Sequence, residues 1–172
     1  LLILLTLLFV AFQSTHARGQ KDTLTICLVP LYSFDLNLDS LTETVNQQLP
    51  FSQTFFRFRL NNRFQRHNAI QDDIFTVPTG KHDRYSQQMH ELRDAFLRKY
   101  PKWNQQELTF FLVKGFVKPA TTGYIVKGKS LGFVKVQANN LLAQSLNQLL
   151  ALALYRQLPN DQTDLVGLDS IT

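Results

Sequence analysis

The stretch "NNLLAQSLNQLLALALYRQ", residues 139–157, carries the strongest helical signal in the chain. Leu141, Leu142, Leu146, Leu149, Leu150, Leu152 and Leu154 make it apolar almost all round, as a helix packed inside a core should be. Gln144, Ser145 and Gln148 interrupt that run at i, i+1 and i+4, a spacing that gathers polar side chains on one flank. The outward face of an amphipathic helix carries such residues without any further role, so the neighbouring segments must say what the stripe faces.

Immediately upstream, "TTGYIVKGKSLGFVKV" (121–136) predicts a strand or hairpin pair with glycine turns at Gly123, Gly128 and Gly132. "ELTFFLVKGF" (107–116) predicts a central strand, and "TLTICLVPL" (23–31) a buried first strand. In "TFFRFRLNN" (54–62), Phe56, Arg57, Phe58, Arg59 and Leu60 alternate, giving one apolar and one basic face. Two more helices are expected. One is "LDSLTETVNQQL" (38–49), where Ser40 and Glu43 match a capping box and Pro50 marks the stop. The other is "DRYSQQMHELRDAFLRKY" (83–100), with Tyr85, Met89, Leu92, Phe96 and Leu97 as its apolar stripe and Pro101 beyond it. The segment 61–83 between them is polar and irregular. The order β-α-β-α-β-β-α predicts one α/β (α+β) domain built on a mixed sheet, without internal repeats.

Composition agrees with a packed domain: 172 residues, 44% hydrophobic, with 14 Phe. The first run, "LLILLTLLFVAF", is shorter than the ~20 apolar residues a bilayer span needs. Followed by small residues at Thr15 and Ala17, it reads as a signal peptide over 1–17 that lacks its initiator and basic start. A secreted or periplasmic mature chain from residue 18, with no membrane span, is the consequence. The end at Thr172, with no closing helix, suggests C-terminal truncation. Cys27 is the only cysteine, so no intrachain disulfide can form, and its apolar context marks a buried thiol. A net charge of +5 favours anionic surroundings; for an exported chain, nucleic acid is not the expected partner.

Most familiar sites are missing. "GKSLG" (128–132) lacks the upstream glycine of a phosphate loop, and no G-x-S-x-G occurs. Beyond the leader the histidines are His67, His82 and His90, and none has a second histidine four residues away. With Asp72, Asp73 and Asp83 they could assemble a loop metal site, although solvated loop residues explain them equally. Arg57, Arg59, Arg63 and Arg66 interleave with aromatics like a nucleic-acid surface, but a half-buried strand with a solvated basic face gives the same pattern.

The stripe on the last helix has the spacing of the two ligands and general base in H-E-x-x-H zinc helices. Taken with "TTGYIVKGKSLGFVKV" before it and "TDLVGLD" after it, the chain resembles secreted bacterial metalloproteases of the metzincin type. In that family a strand opening with Gly-Tyr and closing with Gly-Phe precedes a helix reading A-H-E-L-G-H; a third histidine and a T-D-N-L-M-D segment follow. Gly123–Tyr124 and Gly132–Phe133 match the strand, and "AQSLNQ" lies where A-H-E-L-G-H would lie. The similarity spans residues 24–169, with its specific letters between 121 and 164.

The resemblance implies a zincin-like twisted mixed sheet with a backing helix and a degenerate active-site helix. It sets Gln144 and Gln148 at the first two ligand positions, Ser145 at the general base, and Tyr155 (or Leu154) at the third ligand. Amides are poor zinc ligands, and an unpartnered serine cannot take a proton from water near neutral pH. The family's methionine is absent too, Met89 being the only one. The expectation is a pseudoprotease with no cofactor, binding a polypeptide or anionic envelope component. Its binding edge would be the strand carrying Gly123, Tyr124, Lys127, Lys129 and Lys135. The alternatives are a metallo-hydrolase using the loop histidines and acids, or a structural envelope domain.

Overall fold

The computed structural model describes residues 22–49, 54–64, 74–78, 84–103, 107–126 and 128–154. In chain order the elements are β1 (Asp22–Pro30), α1 (Leu38–Gln48), β2 (Thr54–Leu60), β3 (Ile74–Phe75) and α2 (Gln87–Lys99). They continue with β4 (Thr109–Val113), β5 (Gly115–Phe116), β6 (Gly123–Ile125), β7 (Leu131–Lys135) and α3 (Asn139–Leu154). The expected element order is present, with β3 and β5 added as a small parallel pair.

The main sheet has the order β2-β1-β4-β7-β6. Its first four strands are parallel, and β6 pairs antiparallel to β7 with Tyr124 opposite Phe133. The connection from β1 to β2 runs outward in the sheet, whereas β2 to β4 runs back across β1. Parallel crossovers are right-handed, so the reversal sends α1 and α2 to opposite faces. Each face consequently has its own core.

On one face Met89, Leu92 and Phe96 of α2 meet Cys27, Val29, Phe111 and Phe133. Phe111 lies between two rings, edge-on to Phe96 at 5.4 Å and tilted against Phe133 at 5.3 Å. On the other face Leu41 and Val45 of α1, with Leu142, Leu146, Leu149 and Leu150 of α3, cover Ile26, Leu28, Phe56, Phe110 and Val134. This double cover explains why every residue of β4 is buried, since alternate side chains enter alternate cores. Each fully buried Leu or Phe contributes about 2 kcal/mol.

Two local expectations need correction. The cap of α1 is Asn37, whose side chain accepts from the Ser40 N–H at 3.0 Å. Ser40 is therefore inside the first turn, and no Ser40–Glu43 capping box forms. Of the three glycines, only Gly128 has the positive φ of a turn, at 75°. Gly132 lies within β7 under the Phe110 ring, and Gly123 lies within β6 against Leu149. These two serve close packing rather than reversal. Among the described residues, no helix is long and apolar enough to cross a membrane.

Candidate functional site

The last helix reaches the sheet beneath its β6 edge. A methyl group at Gly123 would come within 2.7 Å of Leu149 Cδ1, so α3 and β6 are in direct contact there. The three polar residues of the helix then separate. Gln144 is exposed, and Gln148, one turn on, is half-buried. Ser145 is 3% exposed and turned inward. Its hydroxyl donates to the Leu141 carbonyl at 3.0 Å and accepts from Gln137 Nε2 at 2.9 Å. Both uses of the hydroxyl are structural, tying the β7–α3 connection to the helix. Tyr155, the third candidate position, lies outside the described residues.

Gln137 was not singled out by sequence. It lies eight residues before Ser145 in an irregular connection, where no periodicity marks it. Asn147, a glycine position in the family pattern, faces α1 and donates through Nδ2 to Gln48 Oε1 at 2.7 Å. It acts at a helix–helix junction.

The edge strand itself is short. The Lys135 N–H donates to the Thr122 carbonyl at 2.8 Å, which fixes the phase of the β6–β7 ladder. Alternation then directs the backbone groups of Gly123 away from β7. Tyr124 is a core residue, 1% exposed, and its hydroxyl donates to the Arg84 carbonyl at 2.6 Å. In return the Tyr85 hydroxyl donates to the Leu131 carbonyl of β7. The two tyrosines therefore latch the approach to α2 onto the hairpin, and burial pushes the Tyr85 phenol well above its ordinary range. Lys129 is exposed and Lys135 half-buried, while Lys127 is outside the described residues.

The other candidates are dispersed. His90 is exposed on α2, edge-on to the Tyr85 ring at 5.5 Å. His67, His82, Asp72, Asp73 and Asp83 lie outside the described residues, as does the leader over 1–17. Among the described residues no three His, Cys, Asp or Glu side chains converge as metal ligands would. "GKSLG" spans the β6–β7 turn and the start of β7. Cys27 is fully buried at the centre of β1, and desolvation raises its pKa from 9.0 to about 11. A thiol so placed is a packing group rather than a nucleophile.

No protein-family model matches the chain, and no curated protein matches it either.

Proposed function

We propose that this chain is a secreted or periplasmic metzincin-like protein without a working zinc site, which binds a polypeptide or envelope component along β6. The observation that carries the proposal is the junction of β6, β7 and α3. An antiparallel hairpin at the sheet edge runs into a helix lodged against that edge. Along the helix, amides and an already bonded hydroxyl stand at the spacing of a zinc helix. Gln144 and Gln148 offer only uncharged amides to a metal. Ser145 touches no described base, so it has no route to activate water. The outward groups at Gly123 suit pairing with an extended chain, and Lys129 with Lys135 would favour acidic sequences.

Two measurements test the two halves of the proposal. Stoichiometric zinc in purified protein, together with chelator-sensitive peptide hydrolysis, would overturn the loss of metalloprotease chemistry. A peptide array probed with the protein and with Lys129→Glu/Lys135→Glu addresses binding. We expect a subset of the acidic peptides retained by the first to be lost by the second; an array unchanged by the substitutions, or at background for both, would remove the binding role of β6.

A further inference from the structure

The basic alternation of β2 acquires neighbours in the folded chain that the sequence does not announce. Arg57 and Arg59 project from the sheet face that carries α2, because Phe56 and Phe58 fill the opposite core. Past β2, the Arg63 carbonyl accepts from Lys99 Nζ at 2.6 Å, and Tyr100 Oη lies 3.2 Å from Asn61 Oδ1. The end of α2, with Arg98 and Lys99, is thereby held beside the end of β2. Trp103 then packs on Phe96 and donates to Thr109 Oγ1 at 3.1 Å. Thr109 is the ladder partner of Cys27, which is the partner of Arg59. These contacts close a circuit that places Lys102 on the same corner.

Arg57, Arg59, Arg63, Arg98, Lys99 and Lys102 are all exposed. Glu107, paired with Arg59 at 2.7 Å, is the acid joined to this group among the described residues. The corner thus holds a positive excess as large as the +5 of the whole chain. Asp39 and Glu43 line a groove on α1 that Phe55 also borders, so the acids stand beyond the Phe55 end of β2.

We infer that this corner is a docking surface for an extended acidic polypeptide, distinct from the β6 edge at the other side of the sheet. Side chains two apart on a strand repeat at about 6.8 Å, so Arg57 and Arg59 stand at the pitch of an extended chain with alternate acidic residues, Arg59 meeting it with the guanidinium edge that Glu107 does not hold. Phe55, 38% exposed, borders the α1 groove of Asp39 and Glu43, and these carboxylates end the stretch that an acidic chain could follow. A single strand of nucleic acid would need successive exposed aromatics for its bases. Here Phe64 is buried against Phe96 and Phe111, and among the described residues Phe55 is the one exposed aromatic. An anionic membrane would likewise need a broader apolar surface than one ring to hold the protein.

The test is fluorescence anisotropy of the full chain with a labelled peptide alternating Glu and Thr. Its partners are a peptide with the same residues in blocks, oligothymidylate and phosphatidylglycerol vesicles. Arg57→Glu/Arg63→Glu is compared with Arg84→Glu/Lys118→Glu, which changes net charge equally elsewhere on the exposed surface. We expect the first pair to weaken binding of the alternating peptide more than about tenfold and the second less than about threefold. The alternating peptide should also bind tighter than the blocked one. Equal loss in both pairs would make the effect one of net charge and overturn the site. Equal affinity for the blocked peptide overturns the register match, and tighter, Arg57-dependent binding of oligonucleotide or vesicles overturns the partner class. Circular dichroism on both pairs confirms that the variants fold.

Discussion

Asn46 is a polar residue whose removal should cost this fold heavily. It belongs to α1, yet its carboxamide treats β2 as a neighbouring strand would. Oδ1 accepts from the Phe56 N–H at 2.8 Å and Nδ2 donates to the Phe56 carbonyl at 2.8 Å. A further bond reaches the Thr42 carbonyl at 2.7 Å. Because β2 is the outermost strand on that side, these are the bonds that an added strand would make. Asn46→Ala leaves both Phe56 groups without that partner. At about 1 kcal/mol for each strand-directed bond, the loss is about 2 kcal/mol, roughly thirtyfold in the folded-to-unfolded ratio. For a chain of this size the melting temperature should fall by about 4–8 °C. Asn46→Asp keeps the acceptor but faces two carbonyls with a carboxylate, so it should do no better than alanine. Urea titration followed by Trp103 fluorescence measures the loss, and hydrogen exchange at the Phe56 amide localises it. Light scattering should also report self-association, since the edge is now open. A loss below about 0.5 kcal/mol with the Phe56 amide still protected would refute the clamp.

Gly132→Ala should destabilise by about 1–3 kcal/mol, because the new methyl would lie 2.6 Å from two Phe110 ring carbons and 3.2 Å from the Tyr124 carbonyl. Gly115→Ala, with nothing within 4 Å, is the control and should stay within about 0.5 kcal/mol in the same urea assay. Stability should decline as pH rises from 9 toward 11: the Cys27 thiol is raised from 9.0 to about 11 in the folded state, so the unfolded chain ionises first and holds fewer protons. The decline attributable to this thiol is about 2–3 kcal/mol, and Cys27→Ala should remove it from a pH series of denaturation curves; an unchanged slope would count against the buried neutral thiol.

What sequence could reveal followed from how local each signal is. The α3 helix and the buried runs of β1 and β4 are legible because burial leaves a periodic or continuous apolar pattern in adjacent residues. Met89, Leu92 and Phe96 follow the same logic on α2. The α1 cap is ambiguous in sequence because Asn37 and the Ser40–Glu43 pair both carry capping side chains, and backbone geometry selects Asn37. Gly123 and Gly132 are ambiguous for a related reason. A turn glycine and a close-packing glycine are the same letter, and only the Leu149 and Phe110 side chains distinguish them. Asn46 and Gln137 have no local signature, since each takes its meaning from a partner on another element or loop. The basic corner was half legible: alternation exposes Arg57 and Arg59, but only the crossover of α2 brings Lys99 beside Arg63.

The surroundings of Ser145 bear on what metal chemistry at α3 would require. Replacing Ser145 by a glutamate would put a charged, longer side chain where the hydroxyl is 3% exposed and already bonded to Gln137. A buried carboxylate costs several kcal/mol unless a cation or donor compensates it. Gln137 would also have to move, because its Nε2 occupies the space in front of the hydroxyl at 2.9 Å. Gln144 could become histidine at little cost, being exposed, whereas the half-buried Gln148 is more constrained. The obstacle to a zinc site is therefore not confined to three letters. It includes a connection, 136–138, whose glutamine is fastened to the helix at the position where a general base would need room and water. Such a lock favours a rigid β7–α3 junction, fastened by the two bonds of the Ser145 hydroxyl.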